Sequence, residues 1–347
     1  MTLEGKVKVS LRLLKNLGSL TGVAKLTRMH NALSVAVGLE KIGVIEFLEE
    51  PKSLKEVADF IGDVKRLDLL EAMFEALVEE KVLKKVDGRY TVNVSQLEKL
   101  KAMRRTNPYF KEYEVFTAGF EGVMNEVMID VLRGRDFDFV SPEVATILYF
   151  QTSSKIYALG RELLLELGGG KRLKGKKILD LGCGFGTEPI TILKYLDFDC
   201  HLICADFFPN VVDECMHTTI EINGQTKILK DLDNVEFVVL DPMMKKLFPI
   251  PDDYVDAVFS FGLLHWSSHP KEIIKECSRV LKSKGIFMTV TQVKRDEETH
   301  LTMGDVLLKI IGGNRYYTKS EIKGFLTEAG LTDPTIFLSY MITARKT

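Results

Sequence analysis

The strongest constraint on this chain is a short glycine-rich stretch, Lys177 to Gly186, with the sequence KILDLGCGFG. Its apolar first half predicts a buried strand over Lys177–Leu181. The glycines that follow predict a tight turn, because glycine adopts positive φ without strain. A helix over Thr187–Leu196 is predicted directly after the turn, with Pro189 in its first turn. A strand, a glycine turn and a helix in this order present the main chain to a ligand.

The glycine spacing and the acid before it indicate what kind of ligand binds there. The glycines follow the pattern G-x-G-x-G, and Thr187 occupies the position where a dinucleotide motif, G-x-G-x-x-G, needs its third glycine. Asp180 precedes Gly182 by two residues. Aimed at the turn, its carboxylate would repel a pyrophosphate but attract an ammonium group. The chain contains no G-x-x-x-x-G-K-[ST] sequence, so ATP is not predicted.

The string D-L-G-C-G-F-G after an apolar strand resembles the first motif of the class I S-adenosyl-L-methionine (SAM) methyltransferases. The resemblance implies SAM as cofactor. It also implies that the cofactor is contacted by residues of the turn and of the strand before it: Asp180, Gly182, Cys183, Gly184 and Gly186.

Strands and helices alternate after Gly168, which predicts a doubly wound sheet. The further strands are predicted over Cys200–Phe207, Val235–Leu240, Val255–Leu264 and Ile286–Val293, with short closing strands near 335–338 and 341–345. The further helices are predicted over Asn210–Ile222, Lys271–Leu281 and Lys319–Ala329. The predicted fold class is α/β: a Rossmann-like seven-stranded methyltransferase sheet with an N-terminal, mostly helical winged-helix domain.

The ends of these strands supply further candidate cofactor residues. Asp206 follows Gly186 by about 20 residues, where a carboxylate can accept both ribose hydroxyls, and Phe207 would lie against the adenine or the ribose. The resemblance implies that Asp241 bonds the adenine amino group, while Pro242 keeps the backbone out of a helix. Phe261, in the fourth strand, completes the predicted cofactor set.

His265 is the candidate catalytic base. It ends the fourth strand in Leu264-His265-Trp266, at the edge where ligands of such sheets bind. A sulfonium methyl group is already activated, so the enzyme needs in-line placement of the acceptor and, for a hydroxyl, a base. Phenolic O-methyltransferases carry their base in L-H-D-W, whose acid this chain lacks. The alternative interpretation is that His265 is a wall of the pocket.

Residues 1–95 contain the signals of a small separate domain. Ser53 to Glu56 forms a capping box for a helix over Leu54–Ile61, and a second helix is predicted over Lys65–Glu80. Two short strands follow across Asp87-Gly88, a strong hairpin signal. Two helices and a hairpin predict a winged helix. The second helix contains more acids than cations, which argues against nucleic acid as a partner.

This arrangement resembles the N-terminal dimerisation domain of the winged-helix O-methyltransferases. The resemblance implies a homodimer and three segments: a dimerisation domain over 1–95, a helical linker or lid over 96–168, and a SAM domain over 169–347. A long helix is predicted from Ser141-Pro142 to Leu167. By resemblance, the following residues could line a substrate pocket: Tyr149, Phe150, Ser153, Tyr157 and Trp266.

Composition limits the partners and the cellular location that the sequence predicts. The formal net charge of −2 argues against binding nucleic acid by bulk electrostatics. Charged residues interrupt the apolar stretch Leu33–Leu48, so no membrane span is predicted. The charged N-terminus lacks a signal-peptide pattern, and the five cysteines form no C-x-x-C pair. We therefore expect reduced thiols and a cytoplasmic location. No carboxylate cluster predicts a metal site.

The sequence predicts SAM-dependent methyl transfer to a small or medium-sized organic acceptor, with O-methylation favoured. Two other functions are compatible with the same motifs. One is a macromolecular methyltransferase acting on protein or RNA. The other is a non-catalytic regulator that binds SAM and carries a winged helix.

Overall fold

A computed structural model describes residues 28–106, 127–135 and 152–347. The chain divides into two compact units. The C-terminal unit contains Thr152–Asp296 and Tyr316–Thr347, and the N-terminal unit contains 28–106, 127–135 and Glu297–Arg315. Residues Glu297–Arg315 lie within the predicted SAM domain over 169–347 but group with the N-terminal unit.

The N-terminal unit is mostly helical with one small sheet. Its helices are α1 (28–41), α2 (Val44–Phe47), α3 (Leu54–Ile61), α4 (Leu67–Glu79), α5 (Val94–Thr106) and α6 (127–132). Its strands are β1 (Lys52–Ser53), β2 (Leu83–Val86) and β3 (Arg89–Val92), in the order β1-β3-β2.

Two local signals explain how this unit forms. The Ser53 side chain accepts the Glu56 N–H, and the Glu56 carboxylate accepts the Ser53 N–H at 2.8 Å, which confirms the predicted capping box at the start of α3. Asp87 and Gly88 both have positive φ, as a two-residue hairpin turn requires. Helix α4 buries one face, led by Phe74, in the core of the unit.

The C-terminal unit alternates strands and helices. Its helices are α7 (Lys155–Gly168), α8 (Thr187–Tyr195), α9 (Pro209–His217), α10 (Pro270–Val280) and, after the helix α11 (Met303–Ile310) of the other unit, α12 (Lys319–Glu328). Its strands are β4 (Lys176–Leu181), β5 (Cys200–Asp206), β6 (Thr219–Ile222), β7 (Gln225–Ile228), β8 (Val235–Val239), β9 (Val255–Phe261), β10 (Leu281–Val290), β11 (Val293–Lys294), β12 (Tyr317–Thr318), β13 (Leu331–Phe337) and β14 (Met341–Lys346).

Seven of these strands form one sheet in the order β13-β14-β10-β9-β4-β5-β8. The strands from β10 to β8 pair in parallel, and β14 runs antiparallel to both β10 and β13. The strand order reverses between β4 and β9, so their carboxyl ends form a topological switch point, where ligands of open α/β sheets bind. The predicted fold class is confirmed.

Both faces of the sheet are covered. One face packs against α10 and α12 in a continuous apolar core that includes Leu179, Ile203 and Phe287. The other face carries Asp180, Cys204 and Phe259, which are aligned across three neighbouring strands. Helices α7 and α9 contact strands of the sheet, and α8 contacts both α7 and β5. The two faces of a parallel sheet are normally buried in this way.

The structure corrects the predicted helix over Asn210–Ile222. Helix α9 ends at His217, and a hairpin of β6 and β7 follows. The turn of this hairpin is Asn223-Gly224, and both residues have positive φ. Asn-Gly between short alternating segments is a strong hairpin signal, which the helix prediction overlooked.

The remaining predicted elements shift at their ends. The fifth strand of the sheet, β10, begins at Leu281 instead of Ile286, with an irregular register between these two residues. The closing strands β13 and β14 are longer than predicted and pair along most of their length. The predicted continuous helix from Ser141-Pro142 to Leu167 starts outside the described residues, and its described part is interrupted: Ser154 has an extended backbone, and α7 begins only at Lys155.

Helix α11 was not predicted and belongs to the N-terminal unit. A capping box of Thr302 and Asp305 begins it, and its apolar residues join the core that contains α4. The chain therefore leaves the C-terminal unit after Asp296 and returns to it at Tyr316. Within the described ranges, no helix is long and apolar enough to span a membrane.

Candidate cofactor site

The glycine turn between β4 and α8 has the geometry that its sequence predicts. Gly182, Gly184 and Gly186 have φ of 81°, 52° and 88°. A Cβ atom on Gly186 would lie 2.8 Å from the Thr218 Oγ1 atom, so close packing as well as backbone conformation requires glycine there. The Thr218 hydroxyl also donates to the Phe185 carbonyl at 3.0 Å, so the residue after α9 holds the turn in place.

Asp180 is fully buried beneath this turn, and neither of its carboxylate oxygens has a hydrogen-bond partner among the described residues. Burial raises the pKa of its carboxyl well above the usual range, and the neighbouring Glu188 adds to the rise. An unpaired buried acid is costly, and an ammonium group would supply the missing partner. The site therefore fits a ligand that carries an ammonium group.

Asp206, at the end of β5, connects that strand to the glycine turn. One carboxylate oxygen, Oδ1, accepts the N–H of Phe207 at 2.7 Å and that of Phe208 at 3.3 Å; the other, Oδ2, accepts the Gly184 N–H at 3.2 Å. Burial raises the pKa of Asp206 to about 6, although these N–H groups oppose the rise. A carboxylate oxygen can accept more than one hydrogen bond, so Oδ2 remains able to accept a ribose hydroxyl.

The Cys183 side chain is fully buried, as are those of Cys204 on β5 and Cys215 on α9. A contribution of Cys183 to cofactor binding would therefore come from its backbone.

Phe207 and Asp241, which are predicted to contact the adenine or the ribose, also make contacts within the protein. Phe207 is nearly buried, and its ring packs edge-on against Phe248 with centroids 6.5 Å apart. The Asp241 carboxylate accepts the backbone N–H groups of Met243, Lys245 and Lys246 at 3.1, 2.9 and 3.0 Å. It thus stabilises its own loop, in which Pro242 is exposed. Binding of the adenine amino group by Asp241 stays a prediction.

Phe261 brings helix α7 close to the end of β9. Its ring centroid lies 5.9 Å from that of Tyr157, and a Cβ atom on Gly160 would lie 3.2 Å from its Cζ atom. Of the other predicted pocket residues, Ser153 is exposed, whereas Tyr149 and Phe150 lie outside the described residues.

His265 follows β9 on the same side of the sheet as the glycine turn. Its Nδ1 atom lies 3.1 Å from the Thr291 hydroxyl, which orients the ring. The ring centroid lies 4.9 Å from that of Tyr316 and 5.7 Å from that of Trp266. His265 and Trp266 are partly exposed. The imidazole is held in a polar and aromatic setting from which it can reach solvent or a ligand.

A buried ion pair next to the glycine turn was missed by sequence reasoning. Arg161 on α7 and Glu188 on α8 have side chains that are only 3% and 4% exposed, and their Nη1 and Oε1 atoms are 3.0 Å apart. No local pattern marks such a pair, because its two residues come from different helices. A buried charge normally has a partner, but α7 also contains Glu162 and Glu166, so Arg161 does not stand out among the charged residues of its helix.

Comparisons with known proteins are consistent with this geometry. Residues 179–289 match the family model described as a methyltransferase domain. An uncharacterized chloroplastic methyltransferase of Arabidopsis thaliana is 27% identical over 179 residues, which is 51% of this chain and 49% of that protein. The chain thus spans about half the length of this curated relative.

Solved structures share the fold over nearly the whole chain. The CurJ carbon methyltransferase has a TM-score of 0.68 at 16% identity, covering 98% of this chain and 99% of the other. An O-methyltransferase family 2 protein of Planctomyces limnophilus, solved with apigenin, has a TM-score of 0.53 at 16% identity, with coverages of 94% and 96%. The match to the methyltransferase-domain model lies within the C-terminal unit and runs from β4 to β10.

Proposed function

We propose that this protein transfers the methyl group of SAM to a small or medium-sized organic acceptor, with a hydroxyl oxygen favoured. One observation carries the proposal. The buried Asp180 carboxylate lacks a hydrogen-bond partner among the described residues, and it precedes a turn whose three glycines all have positive φ. A ligand that carries an ammonium group and lies against the main chain would satisfy both features.

Each residue of the site has a distinct role in this proposal. Asp180 would accept hydrogen bonds from the ammonium group, and Asp206 would accept them from the ribose. SAM supplies a methyl group that is already activated by its sulfonium. His265, oriented by Thr291, would take the proton from the acceptor as methylation proceeds.

A histidine base at position 265 is compatible with two kinds of acceptor atom. Among proteins of similar fold are a carbon methyltransferase and an O-methyltransferase. A carbon acid must lose a proton on methylation just as a hydroxyl does, so the same base would serve either acceptor. Carbon is therefore the second candidate for the methylated atom.

Labelled SAM tests the proposal directly. We expect the protein, incubated with methyl-labelled SAM and fractionated cell extract, to place label in the small-molecule fraction. The Asp206→Ala variant, which should bind SAM weakly, is the matched control. Label in protein or RNA would instead favour a macromolecular methyltransferase, and SAM binding without transfer would favour a regulator.

We also propose that the N-terminal unit is a winged-helix dimerisation domain. It follows the order helix, helix and hairpin, and it exposes several large apolar side chains (Phe60, Leu67, Val86 and Val94). Exposed apolar residues favour protein contacts, whereas the acidic α4 disfavours contact with phosphate groups.

The five free, buried cysteines support a reducing, cytoplasmic location.

Light scattering at several protein concentrations should therefore give the mass of a dimer. Duplex DNA should bind weakly, if at all, in a salt titration. A monomer that binds DNA tightly and loses it with salt would assign the N-terminal unit to nucleic-acid recognition instead.

A further inference from the structure

The buried ion pair of Arg161 and Glu188 is not used by the proposed chemistry. Arg161 Nε donates to the Thr191 hydroxyl at 2.9 Å, and Nη1 donates to the Thr152 carbonyl at 2.8 Å and to Glu188 Oε1 at 3.0 Å. The second terminal nitrogen, Nη2, has no hydrogen-bond partner within the described part of the chain. The guanidinium is therefore held rigidly on one side and has donors to spare on the other.

The Arg161 guanidinium lies close to the glycine turn, because its partner Glu188 follows that turn directly. Glu188 is in the first turn of α8, two residues after Gly186. The Arg161 guanidinium also lies 5.8 Å from the ring centroid of Phe261, at the end of β9. Strands β9 and β4 are neighbours, so Arg161 and Asp180 lie near the same switch point, whereas Asp206 ends β5 on the far side of β4.

Asp180 and Glu188 are both buried acids. Glu188 pairs with Arg161, whereas the Asp180 carboxylate has no hydrogen-bond partner among the described residues. The amino-acid end of SAM carries an ammonium and a carboxylate side by side. An ammonium beside Asp180 would therefore bring a carboxylate that needs a cation of its own.

We propose that Arg161 binds the carboxylate of the amino-acid end of SAM through Nη2, and that Glu188 and Thr191 are positioning residues for its guanidinium. This inference rests on the proposed function. The hydrogen bonds between an arginine and a carboxylate are both strong and directional, as is needed to fix one end of the cofactor. Asp180 and Arg161 would together recognise the zwitterion, while Asp206 recognises the ribose.

Decarboxylated SAM, which keeps the ammonium and sulfonium but lacks the carboxylate, isolates this contact. By calorimetry we expect the unaltered protein to bind SAM ~10–100-fold more tightly than decarboxylated SAM. Arg161→Met should weaken the binding of SAM by the same factor and leave the affinity for decarboxylated SAM nearly unchanged. The preference for SAM should therefore disappear. If Arg161 is merely structural, its replacement should weaken the binding of both ligands equally. An unchanged ratio of the two affinities would overturn the inference.

Two further variants protect the test against misfolding. Arg161→Met leaves Glu188 buried without its partner, so the double variant Arg161→Met with Glu188→Gln removes both charges together and should also lose the preference. Arg279→Met is the matched control: Arg279 is a partly buried arginine paired with Glu276 on α10, and its loss should leave the preference intact. If the unaltered protein binds neither ligand, the proposed function fails as well. If it binds both equally, only the role of Arg161 fails.

Discussion

Replacing His265 with glutamine should lower kcat by roughly 10²–10⁴ while leaving SAM affinity nearly unchanged. Glutamine preserves a polar side chain of similar reach but cannot accept a proton at neutral pH. The contact between Nδ1 and Thr291 shows that the ring is held in one orientation, which a base needs and a simple pocket wall does not. Single-turnover rates and calorimetry would separate the loss of chemistry from any loss of binding.

The rate of the unaltered protein should also rise with pH through the range in which an imidazole loses its proton, because only the neutral ring can act as base. His269→Gln is the matched control. His269 stands at the N-cap of α10, makes no side-chain cap hydrogen bond there, and should have little effect on kcat. If His265→Gln lowers kcat only slightly and leaves the pH profile unchanged, His265 is not the base. That result would point to a thiolate or amine acceptor.

Asp206→Ala should weaken SAM binding by roughly 1–3 kcal/mol, because a charge-assisted hydrogen bond to the ribose would be lost. The affinity of the unaltered protein should also fall as pH drops below about 6, where burial places the pKa of this carboxyl. The sign follows from the charge: the ionised carboxylate is the stronger acceptor, and protonation at lower pH removes it. Calorimetry between pH 5 and 8 measures both effects.

Asp206→Asn helps to separate binding from folding. Asp206 also accepts three backbone N–H groups, so alanine removes structural bonds as well. Asparagine retains one acceptor oxygen and should restore part of the thermal stability but less of the affinity. Asp241→Ala provides a contrast: Asp241 is more exposed than Asp206 and its carboxylate stabilises its own loop, so SAM affinity should change less than for Asp206→Ala. Unaltered SAM affinity in Asp206→Ala would refute the assignment of β5 as the ribose-binding strand.

Features that depend on a few consecutive residues could be predicted from the sequence. The glycine turn, the capping box at Ser53 and the Asp87-Gly88 hairpin each depend on local backbone preferences, and each has the predicted geometry. The alternation of strands and helices likewise predicts the sheet, because hydrophobic period and turn residues agree along the C-terminal half.

Features that depend on distant partners could not be predicted. The Arg161–Glu188 pair joins two helices, and nothing near Arg161 in the sequence indicates which acid it meets. The carboxylate of Asp241 is engaged by its own loop, a competition between ligand and backbone that a motif does not show. The hairpin after α9 had a local signal, Asn223-Gly224, which the helix prediction over Asn210–Ile222 did not use.

The excursion of residues 297–315 into the N-terminal unit means that neither unit is a single stretch of chain. A fragment that stops before Glu297 would lack Met303, Val306, Leu307 and Ile310, which are buried in the same core as α4. A fragment that starts at Thr152 would carry the same apolar helix without the surface that buries it. Cloning the two units separately is therefore a poor way to assign their functions, and exchange of the N-terminal unit between relatives would have to carry α11 with it.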